Sequence, residues 1–101
     1  MSIQSIINFI KNTKNDELSV SNYFRGDINE YYNTGDNYIS ILKNNFDNYR
    51  TCTDKSIVII HNDIWIYIKF DVQSDEIYWT INMADNLNKL NDRKNMIINH
   101  F

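Results

Sequence analysis

Three consecutive strand-like segments between Ser56 and Met83 have pairing registers that agree with one another, and that agreement constrains the fold more than any other feature. Ile57–His61 and Ile64–Phe70 are rich in β-branched and aromatic residues, the composition of a strand. Only Asn62 and Asp63 separate them, and both tolerate the positive φ that a two-residue hairpin turn requires. That turn pairs Ile59 with Ile66 and Ile57 with Ile68. A second turn at Ser74-Asp75 pairs Phe70 with Trp79, Ile68 with Ile81 and Ile66 with Met83. Side chains alternate faces along a strand, so both hairpins send their apolar residues to the same side. A one-residue slip in either turn would scatter that set across both faces. The segment therefore reads as a three-stranded antiparallel meander over about 56–83, with Ile64–Phe70 in the middle.

The two faces of the meander differ chemically. One carries Ile57, Ile59, Ile64, Ile66, Ile68, Phe70, Ile77, Trp79, Ile81 and Met83, a core face that needs a cover of helices. The other carries Val58, Ile60, Trp65, Tyr67, Lys69, Asp71, Tyr78, Thr80 and Asn82. This mixed face, with three aromatic and two aliphatic side chains, is either covered by further helix or is a surface for a partner.

Helical spacing dominates the rest of the chain. Ile3, Ile6, Ile7 and Ile10 form one stripe behind a Ser2 N-cap. Val20, Tyr23, Phe24, Ile28 and Tyr31 suggest a second helix capped by Ser19, with Gly26 an unfavourable residue inside it. Asn33-Thr34-Gly35-Asp36 reads as a turn. Tyr38, Ile41, Leu42, Phe46 and Tyr49 form a third stripe, capped by Asp36 or Asn37, and Arg50–Lys55 connects it to the meander. After the meander, Asp85 caps a last helix that carries Leu87, Leu90, Ile97, Ile98 and Phe101 on one side, with Lys94 and His100 near its C-terminal end as the helix dipole favours. The expected fold is a single α+β domain over residues 1–101, in the order α-α-α-β-β-β-α.

Composition narrows the function classes. Asn and Ile each occur 17 times against one Ala, two Gly and no Pro, a skew towards residues with AT-rich codons such as those of certain bacteria, phages and large viruses. The net charge is −3, with basic and acidic residues mixed along both halves, so neither half is a basic patch for phosphate backbones and direct nucleic-acid binding is not expected. Cys52 is the only cysteine, which excludes an intrachain disulfide and fits a reducing, cytoplasmic compartment. Met1–Lys11 has no basic n-region, and Gln4, Ser5 and Asn8 interrupt its apolar run, so it does not read as a signal peptide. The longest unbroken apolar stretch, Ile64–Ile68, is far too short to span a bilayer, and no membrane partner is expected.

The chain offers little chemistry. His61, Asp63 and Cys52 lack the spacing of a metal site or a nucleophile with its base, and His61 and Asp63 flank a turn where polar residues belong anyway. His100 is the penultimate residue. Arg25-Gly26-Asp27 matches an integrin-binding tripeptide but falls in an expected helix, outside any disulfide-held loop. No enzyme activity, metal or cofactor is expected. Trp65, Tyr67 and Tyr78 near Lys69 resemble a base-stacking face, but Asp71 stands beside the lysine and the basic neighbours of such a face are missing.

What remains is an interaction protein. Trp65, Tyr67 and Tyr78 on the mixed face, the acidic residues Asp71, Asp75 and Glu76 around the second turn, and Tyr31 and Tyr32 near the Gly35 turn are the candidate partner-binding residues, because aromatic side chains are the usual anchors of protein interfaces. The expected activity is inhibition of a larger protein by steric occlusion, in the manner of anti-defence proteins (anti-CRISPR-like) or toxin-immunity proteins, an analogy of size and composition. The expected partner is a larger protein, a basic nucleic-acid-binding one among the candidates, and homodimerisation is another use for the same face. A nucleic-acid-associated or regulatory protein is the alternative, and a small enzyme the third reading.

Overall fold

Four non-glycine residues with positive φ define both hairpins of the meander: Asn62 (53°) and Asp63 (62°), then Ser74 (50°) and Asp75 (62°). Two successive left-handed residues make the primed turn whose twist matches that of the flanking strands. Their registers follow: Ile59 pairs with Ile66, Ile57 with Ile68, Phe70 with Trp79, Ile68 with Ile81 and Ile66 with Met83. The computed structural model describes residues 1–14, 21–35, 37–53 and 56–93. Its elements are α1 (Ile3–Lys11), β1 (Asn22–Arg25), α2 (Ile28–Thr34), α3 (Asn37–Asn45), β2 (Tyr49–Thr51), β3 (Ile57–His61), β4 (Ile64–Gln73), β5 (Glu76–Ala84) and α4 (Leu87–Arg93).

The protein is α+β, but its sheet is larger than the meander. It has five antiparallel strands in the order β1-β5-β4-β3-β2. The region expected to be a second helix from Val20 to Tyr31 is instead β1 followed by α2. Val20, Tyr23 and Phe24 do fit helical spacing, yet residues 22–25 pair with β5 and alternate inward and outward, with Asn22 and Phe24 less exposed than Tyr23 and Arg25. Ser19 and Val20 lie outside the described residues. Asp27 caps α2, accepting the N–H groups of Asn29 and Glu30. Asn33 and Thr34 belong to α2, and Gly35, with φ +53° and ψ −130°, ends it in a conformation open to glycine. The third helix stops at Asn45, so Phe46 lies beyond it and Tyr49 opens β2; the expected Arg50–Lys55 connector begins as an edge strand. The expected cap Asp36 is outside the described residues, and Asn37 is the first residue of α3. At α4 the cap shifts by one residue: Asn86 Oδ1 accepts the Lys89 N–H at 2.9 Å, while Asp85 pairs with the Lys89 ammonium at 3.0 Å. Lys94, Ile97, Ile98, His100 and Phe101 lie outside the described residues. The order is therefore α-β-α-α-β-β-β-β-α.

The principal core lies on the expected face. Ile57, Ile59, Ile64, Ile66, Ile68, Ile77, Trp79, Ile81 and Met83 are all buried, and Phe70 packs at their margin. α1 covers them with Ile3, Ile6, Ile7 and Ile10, and α3 with Tyr38 and Leu42. Fully burying one such aliphatic side chain is worth about 1.5–3 kcal/mol, so this face dominates the stability. Ser2 caps α1 as expected, its hydroxyl accepting the Ser5 N–H at 3.2 Å. α1 has no acidic residue in its own first turn; Glu30 of α2 supplies one, accepting the Ile3 N–H at 2.8 Å and the Tyr38 hydroxyl at 2.9 Å. One carboxylate thus ties three helices together at the positive end of α1.

Candidate protein-interaction surface

Beyond the Gln73–Glu76 pair that closes the β4–β5 turn, the strand registers arrange the mixed face in four ranks. From the β4–β5 turn they are Arg25–Tyr78–Asp71, Tyr23–Thr80–Lys69, Asn82–Tyr67–Val58 and Ala84–Trp65–Ile60. Two ranks are covered and two are open. Val58, Tyr67 and Ala84 are buried with Cys52 and with Leu90 of α4 in a second cluster, against which the half-buried Trp65 packs. Tyr67, expected as a partner contact, is fully buried, so it is a core residue of the second layer and not a surface anchor. Trp65 lies at the border of that layer. Asn82 is buried as well, its Oδ1 accepting a hydrogen bond from the Ser21 hydroxyl.

The open ranks carry exposed aromatic residues. Tyr23 is 73% exposed and Tyr78 37%. They stand on adjacent strands one step apart, Tyr23 opposite Thr80 and Tyr78 opposite Arg25, a diagonal within reach of two large side chains. The charges between them are paired. The Arg25 guanidinium and the Tyr78 hydroxyl both donate to Glu76, and Lys69 lies 4.0 Å from Asp71. At the tip of the hairpin the Tyr32 hydroxyl donates to Asp75 at 3.0 Å, joining α2 to the β4–β5 turn. These bonds hold both phenols above their ordinary pKa, Tyr32 mainly through Asp75 and Tyr78 mainly through Glu76. Exposed ion pairs of this kind add little stability. Their effect is to fix where the rings and carboxylates point.

The structure thus brings together Tyr78, Asp71, Asp75, Glu76 and Tyr32 of the expected set, and separates Trp65 and Tyr67 from them. Tyr31 is half-buried, its ring centroid 6.2 Å from Tyr38 and 6.1 Å from Phe70, so it serves the core margin. Tyr23 and Arg25 join the surface from β1, where helical spacing predicts a helix; the sequence signal for the strand is the four-residue alternation of Asn22-Tyr23-Phe24-Arg25. Arg25-Gly26-Asp27 is no helix interior either: it runs from the end of β1 into the cap of α2.

The other sequence candidates do not converge. Cys52 donates its backbone N–H to Ser56 at one end of β3, and His61 lies at the other end, about 17 Å away at the rise of a strand. The His61 ring meets the Phe46 ring edge-on at 5.5 Å. Among the described residues no group of three or more His, Cys, Asp or Glu could hold a metal ion, and no helix is long and apolar enough to cross a membrane. Comparison with protein-family models, with curated proteins and with solved structures finds no match.

Proposed function

We propose that this chain is a protein-binding inhibitor that acts by steric occlusion, of the anti-defence (anti-CRISPR-like) or toxin-immunity type, and that the open half of its sheet is the docking surface. The observation that carries this reading is the exposed Tyr23–Tyr78 pair on a strand-built face whose other half is covered by the chain's own helix. Rigid tyrosines lose little side-chain freedom on binding and are common interface anchors, each able to contribute about 2 kcal/mol or more. Tyr32, Asp71, Asp75 and Glu76 frame them as a polar rim.

The test is affinity capture from the source lysate with the wild type and with a Tyr23→Ala/Tyr78→Ala variant, followed by assay of the captured protein's activity. A stoichiometric protein partner is expected, inhibited by the wild type and no longer retained by the variant, while the variant's thermal midpoint stays within about 4–8 °C because each of the two exposed positions contributes about 0.5 kcal/mol or less. Retention of the partner by the variant, or a captured partner that keeps full activity, would refute the proposal.

A further inference from the structure

We infer that the open face is shaped for an arginine-bearing, net basic strip of the partner; this rests on the protein-binding reading and deepens it. Two separate properties of the surface converge on that side chain. The first is open aromatic area. The chain itself sets cations over rings elsewhere, Lys11 Nζ 5.6 Å from the Phe46 centroid and Lys43 Nζ 5.9 Å from that of Tyr49. Tyr23 and Tyr78, the aromatic pair of the open ranks, have no such cation among the described residues, and the Tyr23 side chain has no hydrogen bond or ring contact there either. The second is charge. Asp71, Asp75, Glu76 and Asp27 gather at this end of the sheet against Arg25, Lys69 and the Met1 ammonium, which donates to Arg25 O at 2.8 Å, so the end keeps a small net negative charge. Arg25 is committed to Glu76 and Lys69 lies 4.0 Å from Asp71, yet the Asp71 side chain is 50% exposed and Asp75 is exposed, so both keep carboxylate oxygens towards solvent.

A guanidinium suits both properties at once. Its plane stacks on an aromatic face while its edge forks a carboxylate, whereas an ammonium offers a compact, strongly hydrated charge without the flat contact. The Tyr32 hydroxyl already holds Asp75 in place, so this acceptor needs no rearrangement on docking.

The probe is an oligo-arginine peptide, with an oligo-lysine peptide of equal length as control, titrated into isotope-labelled protein at physiological ionic strength and followed residue by residue by NMR. The expected result is chemical-shift change centred on Tyr23, Arg25, Asp71, Asp75 and Tyr78, about tenfold tighter binding of the arginine peptide, and about tenfold loss in a Tyr23→Ala/Tyr78→Ala variant, each tenfold equal to about 1.4 kcal/mol. Equal affinity for both peptides, or shifts spread equally to Asp63 and Asp85 away from this face, would overturn the inference, since either marks general charge attraction. If the peptide fails while the captured partner still depends on Tyr23 and Tyr78, the arginine inference falls and the docking surface stands. If the partner is indifferent to both tyrosines, the docking surface itself falls.

Discussion

Gly26→Ala isolates the packing on which the unexpected first strand depends. Gly26 follows β1 and donates its backbone N–H to Ile77 O at 2.7 Å, which holds the chain tightly against β5. A Cβ added there would stand 2.7 Å from Ile77 Cγ2, 2.9 Å from Trp79 Nε1 and 3.1 Å from Trp79 Cδ1. Carbon contacts are comfortable at about 3.5–4.0 Å, so something must move by about 0.8 Å or more. Neither neighbour can yield freely. Ile77 and Trp79 are fully buried, and the indole is wedged against Tyr38 and Phe70 at centroid distances of 4.9 and 5.3 Å. Overpacking of this kind costs about 1–3 kcal/mol. Losing the short backbone bond would add about 0.5–1.5 kcal/mol, and the stiffer unfolded chain would return about 0.4–1 kcal/mol. The net expectation is a loss of about 1–3 kcal/mol, or about 5–20 °C in the midpoint of a domain this size. Thermal and urea unfolding followed by circular dichroism measures it. The same substitution in an Ile77→Ala background should be milder, because one of the two clashing groups is gone. An unchanged or raised midpoint for Gly26→Ala would refute the close approach and, with it, the placement of β1 on β5.

Three further outcomes are expected. Ile68→Ala, at a fully buried position of the central strand β4, should cost about 2–5 kcal/mol in chemical denaturation, and a loss below about 1 kcal/mol would contradict its place in the core. Stability should fall as the pH rises above about 10: burial, and then the bond to Glu30, raise the Tyr38 phenol, so the folded chain keeps a proton that the unfolded chain releases near pH 10, and below that pH the contribution is fully present. Tyr38→Phe should flatten that alkaline slope in urea titrations run at increasing pH. Duplex DNA should give no gel shift at micromolar protein and physiological salt, because Arg25 and Lys69 on the open face each stand beside a carboxylate; a shift that weakens with added salt would report phosphate contacts and reverse that expectation.

The meander was legible in the sequence because it is local. Asn62-Asp63 and Ser74-Asp75 fix the register within a few residues, and the alternation of isoleucines on either side allows no slip. β1 and β2 were not legible because their evidence is not local. Asn22–Arg25 finds its partner only in Tyr78–Ile81, more than fifty residues on, and a four-residue alternation is too short to outweigh the helical spacing of Val20, Tyr23, Phe24 and Ile28. Tyr49 continues the stripe of α3 at helical intervals, yet it faces Ile59 across the sheet. The candidate residues divide by whether their placement is set locally. Tyr78, Asp71, Asp75 and Glu76 lie on or beside the Ser74-Asp75 turn, so the hairpin alone places them. Tyr67 shares their face, and its burial comes from a cluster with Cys52, Val58, Ala84 and Leu90 of α4, which the hairpin alone does not reveal.

The seam between the covered and open halves follows from the polarity of single ranks. The second layer begins where Val58 and Tyr67 offer apolar area in the same rank as Asn82, and it continues through Ala84 and Trp65. Asn82 is the last polar residue that this layer admits, and it is admitted because Ser21, just before β1, donates to its side-chain oxygen and meets the need of a buried amide carbonyl. One rank further out stand Tyr23, Thr80 and Lys69, and beyond them Arg25, Tyr78 and Asp71. Extending the cover there would bury two ion-paired charges for each rank-end it reached, and burying such pairs seldom recovers their desolvation. Leu90 therefore has a place to pack over the inner ranks, whereas an apolar helix laid on the outer ranks would strand Arg25, Lys69, Asp71 and Glu76 away from water. A partner that covers those ranks must bring polar groups of its own, which is why the same charges that keep α4 off the open half also restrict what can dock there.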